Sequence, residues 1–140
     1  MDHNKLTGAI PNQMGLVLDL QELLLNNNQL RGSIPSLIHE LKDLTYLELE
    51  YNKLTGTIPS ELSNCLRLQS LNLQDNKLVG TLPTQFGNMK ELRSVQVQGN
   101  QLTGKVPPSV CTLVKDENLA VLAVDCQSGS IQCDCCSKCY

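Results

Sequence analysis

The chain has 140 residues, room for one domain of ordinary size, and 41% of them are hydrophobic, so a core can form. With one Phe, three Tyr and no Trp, that core must be aliphatic. The 11 basic and 14 acidic residues leave a net charge of −3, which gives no basic footprint for nucleic acid, and no apolar run approaches the ~18–20 residues of a transmembrane helix.

The N-terminus, Met1-Asp2-His3-Asn4-Lys5, is polar and lacks the apolar segment of a secretory signal. It starts just after the point where a strand belongs, so Lys5 to Leu18 forms a strandless partial repeat. The reading is that earlier repeats and a signal peptide precede this stretch. The alternative is a chain that starts with a frayed first half-coil.

From there the sequence repeats. Asn stands at 4, 28, 52, 76 and 100, a period of 24 without slippage. Leu follows at 6, 30, 54, 78 and 102, Gly at 8, 32, 56, 80 and 104, and then Ile10, Ile34, Ile58, Leu82 and Val106, each followed by Pro. Pairs at spacing two, Leu23/Leu25, Leu47/Leu49, Leu71/Leu73 and Val95/Val97, put both side chains on one face of a short strand. Strands are expected near 22–26, 46–50, 70–74 and 94–98, joined by turns or short 3-10 pieces on the convex side. One coil cannot bury its apolar side by itself, but stacked coils can. The Asn column (Asn4, Asn28, Asn52, Asn76, Asn100) is expected to be buried at the bend after each strand, satisfying backbone groups there. Cys65 replaces Leu41 and Met89 in an inward column and reads as a buried, unpaired thiol.

The phase breaks after Leu113. A short insertion between Val114 and Asn118 restores it, with a last strand near 121–125 and Leu122 and Val124 matching Val95 and Val97. The chain therefore divides into 24-residue repeats over 1–113, the first partial, and a last strand with a Cys-rich cap over 114–140. Six of the seven cysteines, Cys111, Cys126, Cys133, Cys135, Cys136 and Cys139, crowd this end. They read as disulfides in an oxidising compartment, with the pairing open apart from a disfavoured vicinal Cys135–Cys136 bridge. Zinc is the lesser alternative, because adjacent cysteines fit poorly around one tetrahedral ion. No metal and no cofactor is expected.

The repeat L-x-x-L-x-L-x-x-N-x-L-x-G-x-I-P resembles the plant-specific class of leucine-rich repeats, found in receptor-like kinase and receptor-like protein ectodomains and in polygalacturonase inhibitors. The tail from Val124 to Cys139 resembles the C-terminal cap of diatom and algal leucine-rich-repeat proteins. The resemblance implies an α/β solenoid, a right-handed superhelix with a parallel concave sheet, and a non-catalytic recognition module, secreted or at the cell surface. The absence of any Asn-x-Ser/Thr sequon weighs slightly against an extracellular compartment.

No catalytic constellation is present. His3 and His39 are the only histidines, and His39 falls at a convex position expected to face solvent. Outward strand positions are where a ligand belongs: Tyr46, Glu48, Glu50, Tyr51, Gln74, Asp75, Gln96 and Gln98 form a polar, mildly acidic set with two tyrosines. The expected partner is a protein, peptide or polysaccharide, neutral or basic in character. Inhibition of a secreted glycoside hydrolase is an alternative, as is a piece of a receptor-kinase ectodomain. A partial Thr ladder (Thr7, Thr55, Thr103, Thr57, Thr81) suggests an ice-binding solenoid, but Arg31, Ser33, Val79 and Lys105 interrupt it.

Overall fold

Leucines at spacing two commit one side of an extended segment to the interior, so each coil opens with a strand. The computed structural model describes residues 4–116, 118–127 and 129–140. In chain order its strands are β1 (Thr7–Ala9), β2 (Glu22–Leu24), β3 (Gln29–Gly32), β4 (Tyr46–Glu48), β5 (Lys53–Leu54), β6 (Ser70–Asn72), β7 (Val79–Gly80), β8 (Ser94–Gln96), β9 (Gln101–Leu102), β10 (Gly104–Lys105), β11 (Val121–Val124), β12 (Ile131–Gln132) and β13 (Lys138–Cys139). One helix, α1 (Pro108–Lys115), precedes β11.

Six strands form one parallel sheet in the order β13-β11-β8-β6-β4-β2. Its register sets Leu23, Leu47, Leu71, Val95 and Leu122 side by side. That is the alignment of the 24-residue period, corrected for the insertion. The strands are shorter than expected: β2 ends at Leu24 rather than 26, and β4, β6 and β8 end likewise after three residues. The cause is the bend that follows, where Asn27, Tyr51 and Asp75 have φ of 55°, 55° and 51° and Gly99 has 71°. A left-handed residue ends regular strand geometry.

The sequence pattern did not announce a second set of strands. After the bend, the Leu-x-Gly segments pair in parallel as β1-β3-β5 and β7-β9, and an isolated bridge between Thr57 and Val79 joins the two groups. Pro11, Pro35, Pro59 and Pro83 then stop the ladder with φ between −72° and −63°, and a five-residue 3-10 segment follows each. These four are the expected short convex pieces. The fifth is different: the extra residues in the last coil let it close as the α-helix α1, which crosses the boundary placed at 113/114. Glu117, in the expected insertion, lies outside the described residues.

The asparagines tie coil to coil. Asn52 Nδ2 donates to the carbonyls of Leu49 and Glu50 in its own bend and of Leu25 in the coil before, at 3.1, 3.3 and 2.9 Å. Its Oδ1 accepts the Leu30 backbone N–H at 2.9 Å. Asn76 repeats all four bonds one coil later, and so does Asn100. Asn28, Asn52 and Asn76 are buried and Asn100 is half-buried. Asn4, expected to be buried with them, is exposed, because no described coil lies in front of it.

The core is one continuous aliphatic column set. Leu47, Leu49, Leu71, Leu73, Val95 and Val97 are fully buried, as are Leu41, Cys65, Met89 and Leu113 in the convex column. Val17, first in that convex column, is half exposed, as are its neighbours Leu16 and Leu18. The C-terminal end is closed. The tail contributes β12 to pair with β10 and β13 to pair with β11, so it ends both kinds of ladder at once. Three disulfides hold it: Cys111–Cys135, Cys126–Cys139 and Cys133–Cys136. The first bonds the tail to α1, and none is vicinal. Cys65 is free and buried, and its Sγ donates to the Ile38 carbonyl at 3.5 Å. Burial pushes its thiol up to about 11, with Lys42 opposing slightly.

Three expectations follow from this packing. Leu71→Ala should cost ~2–5 kcal/mol in a urea melt, as large-to-small core changes do; a cost under ~1 kcal/mol would show that the site is not packed as described. Alkylation of the non-reduced, denatured protein followed by mass spectrometry should label Cys65 alone; in the native protein even Cys65 should resist, being buried and protonated. Labelling at any tail cysteine contradicts the three bridges. Tyr51 is a bulky residue in a left-handed conformation that its counterpart Asn27 tolerates better. Tyr51→Asn should therefore stabilise by ~0.5–1 kcal/mol, and an unchanged or lower denaturation midpoint would argue against strain there.

Candidate functional site: the outward face of the long sheet

Alternation along the strands decides what faces outward. With Leu47, Leu71 and Val95 turned inward, Tyr46, Ser70, Ser94 and Val121 stand in one cross-strand row. Leu24, Glu48, Asn72, Gln96 and Ala123 stand in the next. Adjacent members are one strand spacing apart, ~4.8 Å. The first row rises at Tyr46, 40% exposed, and drops to two serines. The result is a shallow step with an aromatic wall.

The polar side chains on this face are largely held by one another. Ser70 Oγ donates to Glu48 Oε1 at 2.7 Å, leaving the second Glu48 oxygen outside that bond. Asn72 is buried, and its Oδ1 accepts the Gln74 backbone N–H at 3.3 Å. Gln98 Nε2 donates to Gln74 Oε1. Asp125 closes the last bend, accepting from the Gly99 and Asn100 N–H groups at 3.0 and 3.2 Å. A side chain at Gly99 is disfavoured: its φ is 71°, and a Cβ there would stand 2.5 Å from Asp75 Oδ1 and 3.0 Å from the Asp75 backbone nitrogen.

The eight expected contact residues thus divide. Tyr46, Tyr51 and Asp75 are exposed, and Glu48, Gln74 and Gln96 are half-buried on the same face. Glu50 and Gln98 are a correction: each is only 8% exposed. They sit where the strand gives way to the bend, and the chain folds over them. They support the face from beneath rather than present a contact surface. Ser70 and Ser94 face outward by their alternation with the leucines but fall outside the eight; they shape the step. Asp125 falls outside them too, although the match of Val124 to Val97 sets it level with Gln98.

The charge on this face is one-sided. Glu22, Glu48, Asp75 and Asp125 belong to it, with Glu50 buried beneath, and the one basic residue among the described rows is Lys138 at the β13 end. Arg93 sits at the margin, 3.9 Å from Glu91 and 3.4 Å from the Asn118 carbonyl. On the opposite side His39 is half-buried rather than exposed, with Nδ1 2.6 Å from the Ser36 carbonyl oxygen and Nε2 2.9 Å from Glu40. His3 lies outside the described residues. The tail cysteines, weighed as zinc ligands, are spent in disulfides. No helix among the described residues is long and apolar enough to cross a membrane.

Comparison with known proteins agrees with this architecture. Leucine-rich-repeat patterns match residues 18–78 and again 91–113. No curated protein sequence matches the chain. Among solved structures, the plant peptide hormone receptor RGFR1 in complex with RGF2 superposes with a TM-score of 0.84 at 36% identity, over 89% of this chain and 20% of that one. The leucine-rich-repeat ectodomain of the receptor kinase SOBIR1 from Arabidopsis thaliana gives 0.82 at 32% identity, over 94% and 69%. A plant ice-binding protein gives 0.76 at 36% identity, over 80% and 36%. The chain spans about a fifth of the hormone receptor and just over two thirds of the SOBIR1 ectodomain. With its repeat matched over most of the chain and its coils superposing on plant receptor ectodomains, the protein belongs to the leucine-rich-repeat family, in its plant-type form.

Proposed function

We propose that the protein is a recognition module, secreted or exposed at the cell surface, which binds a protein or an extended peptide on the outward face of its long sheet. The observation that carries this reading is the pair of exposed tyrosines, Tyr46 and Tyr51, set beside the carboxylates of Glu48 and Asp75 on consecutive coils. Tyrosine supplies contact area at small entropic cost, and an acidic face selects a neutral or basic partner. Tyr51 also keeps a backbone conformation that costs stability, as residues at binding surfaces often do. The similarity to a receptor that is itself in complex with a peptide hormone supports a peptide ligand. Three tail disulfides support an oxidising, extracellular setting.

The test is selection from a displayed library of extended peptides, followed by calorimetry on the selected sequences. Selected peptides should be neutral or basic. The double variant Tyr46→Ala, Tyr51→Ala should weaken binding by at least ~1 kcal/mol, while His39→Ala and Lys90→Ala on the other side should leave it unchanged. Binding that ignores the tyrosines and responds to the second pair would move the site to the convex side.

A further inference from the structure

The tail is fastened unevenly. Cys111–Cys135 ties it to α1, Cys133–Cys136 closes the stretch between β12 and β13, and Cys126–Cys139 ties β13 to the exit of β11. Cys111, Cys126, Cys133, Cys135 and Cys136 are half-buried and pack against the core. Cys139 is exposed and stands outside that packing. A thiolate must reach a sulfur to exchange with it, so Cys126–Cys139 is the bridge that a reductant meets first.

β13 has little else to hold it. Ser137, Lys138, Cys139 and Tyr140 are all exposed, so this strand buries no side chain. Its hold on β11 is a short set of hydrogen bonds at the margin of the sheet. The Ser137 N–H donates to the Leu122 carbonyl at 3.1 Å, and Ser137 Oγ accepts the Leu122 N–H at 2.8 Å. The Tyr140 N–H donates to the Val124 carbonyl at 3.0 Å. Gln127 adds two more, its N–H donating to the Tyr140 carbonyl at 2.8 Å and its Nε2 to the Cys139 carbonyl at 3.0 Å. Bonds of this kind, open to water, contribute little net stability each, and a strand without an apolar face is marginal. The bridge joins residues 13 apart in sequence and keeps the strand beside its partner by removing loop-closure entropy. β12 is secured differently: Ile131 is buried, and Cys111–Cys135 anchors the chain just beyond it.

We propose that Cys126–Cys139 is a redox-sensitive latch. A dithiol reductant opens it, β13 leaves the sheet, and the β11 edge is uncovered while the rest of the cap stays in place. One thiolate of the reductant attacks Cys139 Sγ, forming a mixed disulfide and expelling Cys126 as a thiolate, which takes up a proton. The second thiol of the reductant then attacks the reductant's own sulfur in the mixed disulfide. The reductant departs as a cyclic disulfide, Cys139 is released as a thiol, and two electrons and two protons have passed to the bridge. The hinge falls after Cys136, which stays bonded to Cys133. Opening has two consequences: the backbone groups of β11 that faced β13 become a free parallel edge, and Lys138 is withdrawn from its place beside Ala123 on the outward face.

The test is a titration of the native protein with dithiothreitol. Each step is trapped by alkylation for mass spectrometry, and backbone amide hydrogen exchange is followed by nuclear magnetic resonance under the same conditions. Cys126 and Cys139 should become labelled together, before Cys111, Cys133, Cys135 or Cys136. At that step the amides of Gln127, Ser137 and Tyr140 should exchange at least ~10-fold faster, while those of β4, β6 and β8 keep their rates. Reoxidation should restore the slow exchange. The double variant Cys126→Ser, Cys139→Ser should show the fast amides without reductant. The proposal is overturned if Cys133–Cys136 or Cys111–Cys135 opens first or at the same step. It is overturned equally if the β13 amides stay protected once Cys126 and Cys139 are reduced, or if the whole sheet loses protection with them. The parent titration decides the matter even if the variant mispairs its remaining cysteines.

Discussion

A carboxamide side chain at one position of a 24-residue period holds this molecule together. Each coil must turn sharply after its strand, and a turn inside the stack strips backbone N–H and C=O groups of water. Asn52, Asn76 and Asn100 resolve this with a single amide each: two donor hydrogens for carbonyls of two bends, one oxygen for an N–H of the coil before. No other side chain of similar size has both donors and acceptor in that geometry. Aspartate lacks the donors and leucine lacks both. Because two of these bonds cross between coils, the same residue that satisfies a bend also fixes the distance and register of its neighbour. Stacked leucines supply the driving force, but leucines slide on leucines; the amide sets where they stop.

That division explains what could be read from the sequence. The leucine and asparagine columns repeat because each performs the same task in every coil, so period, strand positions and inward residues were all legible. Cys65 could be placed in the core because it stands in a column of larger apolar residues. What escaped was contact between segments carrying no periodic apolar signal. The Leu-x-Gly strands pair through backbone alone, and their outward residues (Thr7, Arg31, Lys53, Val79) share no chemistry. The change from a 3-10 segment to the helix α1 depended on a few added residues between Leu113 and Leu119. Glu50 and Gln98 look like surface residues by composition, yet the bend beyond the strand covers them, and that closure arises from positive φ at Tyr51 and Gly99 rather than from hydrophobic pattern. Disulfide partners in the tail are likewise a matter of three-dimensional proximity, which spacing alone could not supply.

The tail shows how a solenoid ends. A last coil leaves two open ladders, one from each set of strands, and an open ladder recruits other chains. Here fewer than thirty residues close both, with β13 against β11 and β12 against β10. The stretch after Val124 has little apolar area to bury, Ile131 being the one buried side chain among its described residues. Cross-links take over the role that a core plays elsewhere, and the bridge to α1 fastens the cap to a part of the molecule already fixed by stacking.

Once inward positions are committed to stacking, outward ones carry less structural duty and are freer to differ. On the long sheet they differ: Leu24, Glu48, Asn72 and Gln96 follow one another in a row, one apolar, one charged and two amides. A surface of that kind can be specific for one shape at one place, which suits a partner with its own irregular sequence.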